Sequence, residues 1–304
     1  MTAQSASDYI EIITDATPKT PAPVPNASAQ ASAPRATDAA AATDNFESVD
    51  TATGKAAPAE VSSERVKGIF SDIATKYERF NAVSSFGAYK IWRENLVRAV
   101  PVDGSSDVLD VAGGTGDVTF ALARAKHPRH IQCTDLVDEM LDVAREHYAA
   151  GASCGVPVDF QVVDAQDMPF PDNSFDAVTC AYGIRNMPER KRAIAEMYRV
   201  LKPGGTLACL DFSTPPLPAW NALYHVYLNH MIPFWGGAIT GNRDGFVYLS
   251  KSIKAFPDQK SLAHLFEEVG FENVTWKNQT GGIACIHVAH KPAQPEPEGV
   301  GHRA

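Results

Sequence analysis

The sequence predicts an α/β fold: a seven-stranded, mostly parallel sheet with helices on both faces and an antiparallel last strand. Three observations predict it. Short apolar runs alternate with helix-length amphipathic segments, a glycine-rich loop follows the first run, and a glycine turn joins the last two. Residues 1–60 come first, mostly Ala, Pro, Ser, Thr and Asp, with hardly a large apolar side chain after Ile13. Such a segment buries too little surface to offset its ordering entropy, so it reads as a disordered tail. An amphipathic stretch over 66–80 precedes the sheet. Strands are expected over 108–112, 131–135, 158–163, 177–181, 206–212, 274–277 and 283–289. Helices are expected over 116–126, 139–149, 189–201 and 259–269. Strands separated by such helices need right-handed crossovers, hence parallel pairing. Turn residues over 278–282 make the final pair a hairpin. Leu201-Lys202-Pro203-Gly204-Gly205 reads as a helix C-cap before the fifth strand. An insertion over 218–252 follows that strand, and Pro295, Pro297 and Gly299 mark a second tail over 293–304. Residues 61–292 then suffice for one α/β domain with a buried core.

Composition excludes several classes. The net charge is −9 and no Lys/Arg cluster is interleaved with aromatics, so a nucleic-acid partner is not expected. The five cysteines are widely spaced and mostly fall in expected strands, which fits a reducing cytoplasm rather than disulfides or a zinc site. In the first tail Asp8, Glu11, Asp15, Asp38, Asp44, Glu47, Asp50 and Glu60 outnumber Lys19, Arg35 and Lys55, unlike a mitochondrial transit peptide. There is also no basic segment followed by an apolar one, so a bacterial cytoplasmic protein is expected.

The chemistry starts at Asp110-Val111-Ala112-Gly113-Gly114-Thr115-Gly116-Asp117. Glycines there let the backbone approach a small molecule closely. A dinucleotide fingerprint would need G-x-G-x-x-G, but the last position is Asp117 or Thr119, depending on where the count starts. Acids on both sides of the glycines suit pyrophosphate badly. They suit a ligand with a cationic centre, an amino group and ribose hydroxyls, and S-adenosylmethionine is such a ligand. Gly113, Gly114, Thr115 and Gly116 would cradle it. Asp110 or Asp117 would help hold its ammonium, unless Asp117 caps the following helix.

Asp135 ends the second strand about 20 residues beyond the loop, where an acid can accept both ribose hydroxyls; the alternative is a helix N-cap. Asp164 with Ala165 follows the third strand, where a carboxylate can take the adenine amino group or simply make a turn. Seven strands ending in a hairpin are the architecture of class I methyltransferases, whose sheet is Rossmann-like.

Further motifs carry a family resemblance. They are Phe175-Asp176 through Tyr182-Gly183-Ile184-Arg185-Asn186, and Met197-Tyr198-Arg199-Val200 running into the Leu201–Gly205 segment. Tyr77-Glu78-Arg79-Phe80-Asn81, Ser85-Phe86-Gly87, Trp92, Phe256-Pro257-Asp258-Gln259 and Gly270-Phe271 complete them. Over residues 65–291 the chain resembles the ubiquinone/menaquinone biosynthesis C-methyltransferase family. Two departures stand out. Ala181 occupies a position near the cofactor where family members often have serine, and Tyr77-Glu78 replaces a tyrosine-aspartate pair.

The resemblance implies methyl transfer from S-adenosylmethionine to a ring carbon of a polyprenylated quinol, and candidate catalytic residues Arg185, Asn186 and Tyr77. A phenol ionises near pH 10, and a guanidinium nearby would lower that value. Arg185 is the expected partner of the resulting oxyanion; its alternative is a structural carboxylate. Tyr77 would orient the quinol hydroxyl or close over the cofactor, or simply pack. No metal is called for. His225 and His230 are five apart and do not share a helix face as a metal pair would.

The insertion is too broken by polar residues for a membrane span. It reads as a lid or tunnel for a prenyl tail with peripheral membrane contact at the inner face, or as an amphipathic helix packed on the sheet. A homodimer or a quinone-biosynthesis assembly are the partners considered. Two other activities stay open: a methyltransferase for another small molecule, and a non-catalytic lipid-binding subunit.

Overall fold

A computed structural model of the chain describes residues 80–241 and 243–293, together with Glu64, Lys67, Gly68 and Ser71. The first tail, Tyr77 and its neighbours, and residues 294–304 lie outside the described residues.

Seven strands are formed: β1 (Asp107–Val111), β2 (His130–Asp135), β3 (Val158–Val162), β4 (Phe175–Ala181), β5 (Leu201–Phe212), β6 (Glu272–Gln279) and β7 (Ala284–His290). They make one sheet in the order β3-β2-β1-β4-β5-β7-β6. Pairing is parallel from β3 through β5, and β7 runs antiparallel to both β5 and β6. The strand order reverses between β1 and β4, so a crevice opens beyond their carboxyl ends, where ligands bind in such sheets.

The helices are α1 (Ala88–Ala99), α2 (Asp117–Lys126), α3 (Asp138–Ala149), α4 (Arg190–Val200), α5 (Pro218–Val226), α6 (Ile232–Thr240), α7 (Arg243–Ala255) and α8 (Gln259–Val269). Alternate strand residues face opposite layers, as the two-residue period of a strand requires. Val108, Ala177 and Ala208 pack with Leu96 of α1 and Leu122 of α2. Leu109, Val178 and Leu207 pack with Met197 of α4 and Phe266 of α8. Each fully buried aliphatic of this kind stabilises the fold by about 1.5–3 kcal/mol.

One expectation is corrected. Leu201 is the C-cap residue of α4, as expected, but it is extended, and the same Leu201–Gly205 segment already opens β5, ahead of the expected strand start at Thr206. Lys291 is the reason. Its ammonium donates to the carbonyls of Tyr198 and Leu201 at 2.9 and 2.6 Å, doing the work of a glycine cap. Its backbone exchanges bonds with Gly204 and Gly205, drawing that segment into the sheet.

The insertion folds as α5, a π-helical turn over Tyr227–Met231, α6 and α7. Tyr224, Leu228, Ile232, Phe246 and Ile253 form a small core of their own with Phe80. The Tyr227 hydroxyl donates to the Ser84 carbonyl, tying the π turn to the segment before α1. Among the described residues no helix is long and apolar enough to cross a membrane.

Candidate active site

The loop after β1 is fixed from below. Gly113 N donates to the Thr134 carbonyl at 2.8 Å, and Gly114 N donates to Asp135 Oδ2 at 2.9 Å. The other Asp135 oxygen accepts from Val137 N at 3.0 Å. Asp135 therefore braces the loop and the start of α3 while its side chain borders the crevice. The packing beneath the loop leaves no room for a side chain at Gly113, because a Cβ there would sit 2.6 Å from Cys133 Sγ and 3.2 Å from Asp110 Oδ2, both buried. Gly116 is the N-cap of α2 with φ +84°, and a Cβ on it would lie 2.3 Å from the Phe120 ring. Both conditions exclude any residue but glycine.

Of the residues singled out in the sequence, Asp110, Gly113, Gly114, Thr115, Asp135, Asp164, Ala165, Ala181 and Asn186 border this one crevice. Gly116 sits one residue behind it. Asp164 forms a turn in which Oδ1 accepts from Gln166 N at 2.9 Å and from Gln166 Nε2 at 3.0 Å. Asp117 is not a helix cap. It pairs with Arg93 of α1, which also borders the crevice.

Asp110 is fully buried, and its oxygens accept from Thr119 Oγ1 at 2.6 Å and Thr179 Oγ1 at 2.7 Å. Its place is the floor of the crevice, where it holds loop, helix and sheet together. Burial pushes its pKa up to about 6. A carboxyl raised in the folded state contributes stability that is complete below its unfolded pKa, near 4. That contribution disappears as pH rises through about 6. Asp110→Asn should therefore gain about 2 kcal/mol on the natural chain between pH 4 and pH 7, as read from urea melts at several pH values. A gap independent of pH would contradict the burial argument.

Arg185 and Asn186 lie on a single 3-10 turn, Ile184–Asn186, after β4, yet they face different spaces. Asn186 borders the crevice, where its Oδ1 is buried without a hydrogen-bond donor. Arg185 borders a second, apolar cavity of about 380 Å³, and the alternative reading of a structural carboxylate also holds. It is 1 % exposed and its Nη1 lies 2.9 Å from Asp211 Oδ1, while its backbone N donates to Asp211 Oδ2 at 3.1 Å. The guanidinium also sits over the Phe212 ring, 5.2 Å from its centroid. Nη1 of Arg185 and Nδ2 of Asn186 both donate to the Tyr182 carbonyl. Tyr182 itself has φ +58°, a conformation unusual for a bulky residue.

Asn81, Tyr89 and Tyr182 border both spaces, so the crevice and the apolar cavity meet at these three side chains. Asn81 closes a motif quoted from the sequence, whereas Tyr89, Arg93 and Asp211 were not singled out there. Tyr89 and Arg93 are four apart on α1, a spacing that puts them on one face, and Asp211 is an acid closing an apolar strand. Either signal was there to be read.

The residues present fit S-adenosylmethionine. Gly113 and Gly114 border the crevice with no side chain of their own, Asp135 borders it with a carboxylate, and the Asn186 oxygen there is buried without a donor. Fold and site together define a class I S-adenosylmethionine-dependent methyltransferase. The sequence pattern of the ubiE/COQ5 methyltransferase family matches residues 59–291, and the chain belongs to that family. Its methyl donor is S-adenosylmethionine.

A "Ubiquinone/menaquinone biosynthesis C-methyltransferase UbiE" from Roseobacter denitrificans is 40 % identical over 227 residues, 75 % of this chain and 90 % of that one. The protein of the same name from Francisella tularensis subsp. novicida is 36 % identical, covering 77 % and 94 %. Among solved structures, the [4+2]-cyclase SpnF superposes with a TM-score of 0.57 at 18 % identity, covering 78 % of this chain and 98 % of its own. A possible histamine N-methyltransferase from Thermotoga maritima superposes at 0.52 with 19 % identity, covering 74 % and 99 %. These two likenesses concern the fold.

Proposed function

We propose that the protein transfers a methyl group from S-adenosylmethionine to a ring carbon of a polyprenylated quinol. Demethylmenaquinol and a methoxy-benzoquinol of ubiquinone biosynthesis are the two substrates considered. The observation that carries this reading is the junction: an apolar cavity, able to take a ring and the start of a prenyl tail, opens onto the cofactor crevice at Asn81, Tyr89 and Tyr182. The relatives' names point the same way.

In this reading Asp135 accepts the ribose hydroxyls, Asp164 with Ala165 receives the adenine amino group, and the loop from Gly113 to Gly116 takes the methionine end. Bound there, S-adenosylmethionine supplies an electrophilic methyl carbon on a sulfonium. Arg185 favours ionisation of the quinol hydroxyl beside the reacting carbon, with Asp211 fixing its orientation. Asn186 borders the cofactor side, and Tyr77, which lies outside the described residues, keeps the role the family resemblance implies, orienting the quinol hydroxyl. The ring carbon would take the methyl group as the carbon–sulfur bond breaks and S-adenosylhomocysteine leaves, and the ring proton would then pass to water, restoring the aromatic ring. Holding carbon and methyl in line supplies much of the acceleration.

Phe86, Leu217, Leu223, Val226 and Phe234 are exposed, and Phe86 and Leu223 border the apolar cavity. This apolar rim supports peripheral contact with the cytoplasmic face of a membrane, from which the substrate tail would be drawn. A homodimer or a biosynthetic assembly remains compatible with such a surface.

The test offers the purified protein labelled S-adenosylmethionine and the two reduced quinols, each with and without its tail. Transfer to a tailed quinol, with a much higher KM for the tail-less form, is expected. Transfer to neither, with cofactor binding intact, would move the activity to another acceptor.

A further inference from the structure

Tyr224 on α5 is 5 % exposed, and its hydroxyl is buried without a hydrogen-bond partner. The residue borders the apolar cavity that also holds Arg185. Burying a hydroxyl unpaired is unfavourable, so buried phenols normally find a partner. Several other polar groups of that wall are engaged with the protein itself. Ser85 Oγ donates to the Asn81 carbonyl at 2.6 Å, Thr280 Oγ1 accepts from Trp92 at 2.8 Å, and Tyr227 donates to the Ser84 carbonyl. Arg185 is held by Asp211. Phenylalanine would fill the same volume at Tyr224 without the penalty.

We propose that the Tyr224 hydroxyl is reserved for the substrate: it donates a hydrogen bond to a ring oxygen of the quinol and sets the ring's orientation beside Arg185. This rests on the quinol reading above and adds a residue outside the motifs quoted from the sequence. The phenol is suited to donating. Burial pushes its pKa well above the ordinary tyrosine value, so it keeps its proton while the substrate oxygen ionises. The charges of Arg185 and Asp211 both act on it, which places it within electrostatic reach of that pair. The hydrogen bond is strongest to an ionised oxygen, so it favours the reactive form of the ring over the bound neutral one.

The test is Tyr224→Phe in the full chain. Four quantities are measured against the natural protein: kcat/KM for reduced demethylmenaquinol, Kd for that quinol by fluorescence quenching, Kd for S-adenosylmethionine, and Tm without ligands. A hydrogen bond to a charged oxygen implies a loss of roughly ten- to a hundredfold in kcat/KM. Quinol binding should weaken, cofactor binding should stay unchanged, and Tm should equal or exceed that of the natural protein. A lowered Tm would show a structural hydroxyl, and unchanged kcat/KM with unchanged quinol affinity would show no contact; either overturns the proposal. If the natural protein neither binds nor methylates the quinol, the quinol reading itself fails, and the proposal with it.

Discussion

Replacing Asp135 by alanine is expected to weaken S-adenosylmethionine binding by about two orders of magnitude. The carboxylate borders the crevice at the end of β2, and both of its oxygens already accept backbone N–H groups, from Gly114 and Val137. Burial raises its pKa, a sign that the site holds the charge at some cost before a ligand arrives. Ribose hydroxyls donating to it would offset that cost, because hydrogen bonds to charged groups are worth about 1.5–3 kcal/mol each. Two such bonds, lost together, amount to roughly 3 kcal/mol or more, which is a factor of a hundred or above in Kd. The alanine also frees Gly114 N, loosening the loop that must lie against the methionine end. Calorimetric titration with S-adenosylmethionine, alongside circular dichroism to follow the fold, checks this. A Kd within threefold of the natural protein's would remove Asp135 from the cofactor site.

Arg185→Ala should cost about 3–5 kcal/mol of folding stability, because it leaves Asp211 charged and unpaired in the protein interior. It should also cut turnover far more than it weakens cofactor binding, since Arg185 borders the apolar cavity and not the crevice. The two effects are separable. Replacing the pair together by neutral residues, Arg185→Met with Asp211→Asn, removes the stranded charge, keeps an acceptor for the backbone N–H groups of residues 185 and 212, and should restore most of the stability. It should not restore turnover. Urea melts and single-turnover methyl transfer on both variants make the comparison. Unchanged turnover in either variant would limit Arg185 to holding the Tyr182 carbonyl and the β5 end.

The contrast between these two residues shows where sequence was enough. Asp135 announces itself through its distance from the glycine loop, because strand length and crossover geometry leave an acid there little choice of position. The alternation of apolar runs likewise gave the seven strands and the helices between them, since a two-residue period and a hairpin turn are local properties, whereas the helix Ala88–Ala99 was not expected. Arg185 is different. Its partner Asp211 lies 26 positions later, on the neighbouring strand, and only sheet register brings them together. The start of β5 was placed too late for the same reason: Lys291, from the far end of the fold, pairs with Gly204 and Gly205 and draws the segment after the α4 cap into the sheet. Tyr224 left no trace in the sequence, because on an amphipathic insertion helix one tyrosine looks like any other core aromatic. Its missing partner is visible only once the surrounding side chains are in place.

The central claim is that the methyl group lands on a ring carbon of a quinol held in the apolar cavity. The most direct measurement incubates the purified protein with S-adenosylmethionine labelled with ¹³C at the methyl group and with demethylmenaquinol, reduced in one sample and oxidised in the other. The labelled carbon is then located by NMR. The account expects a carbon-bound methyl on the ring, formed from the reduced substrate and not from the oxidised one. A methyl found on oxygen, or equal transfer to the oxidised ring, would contradict it.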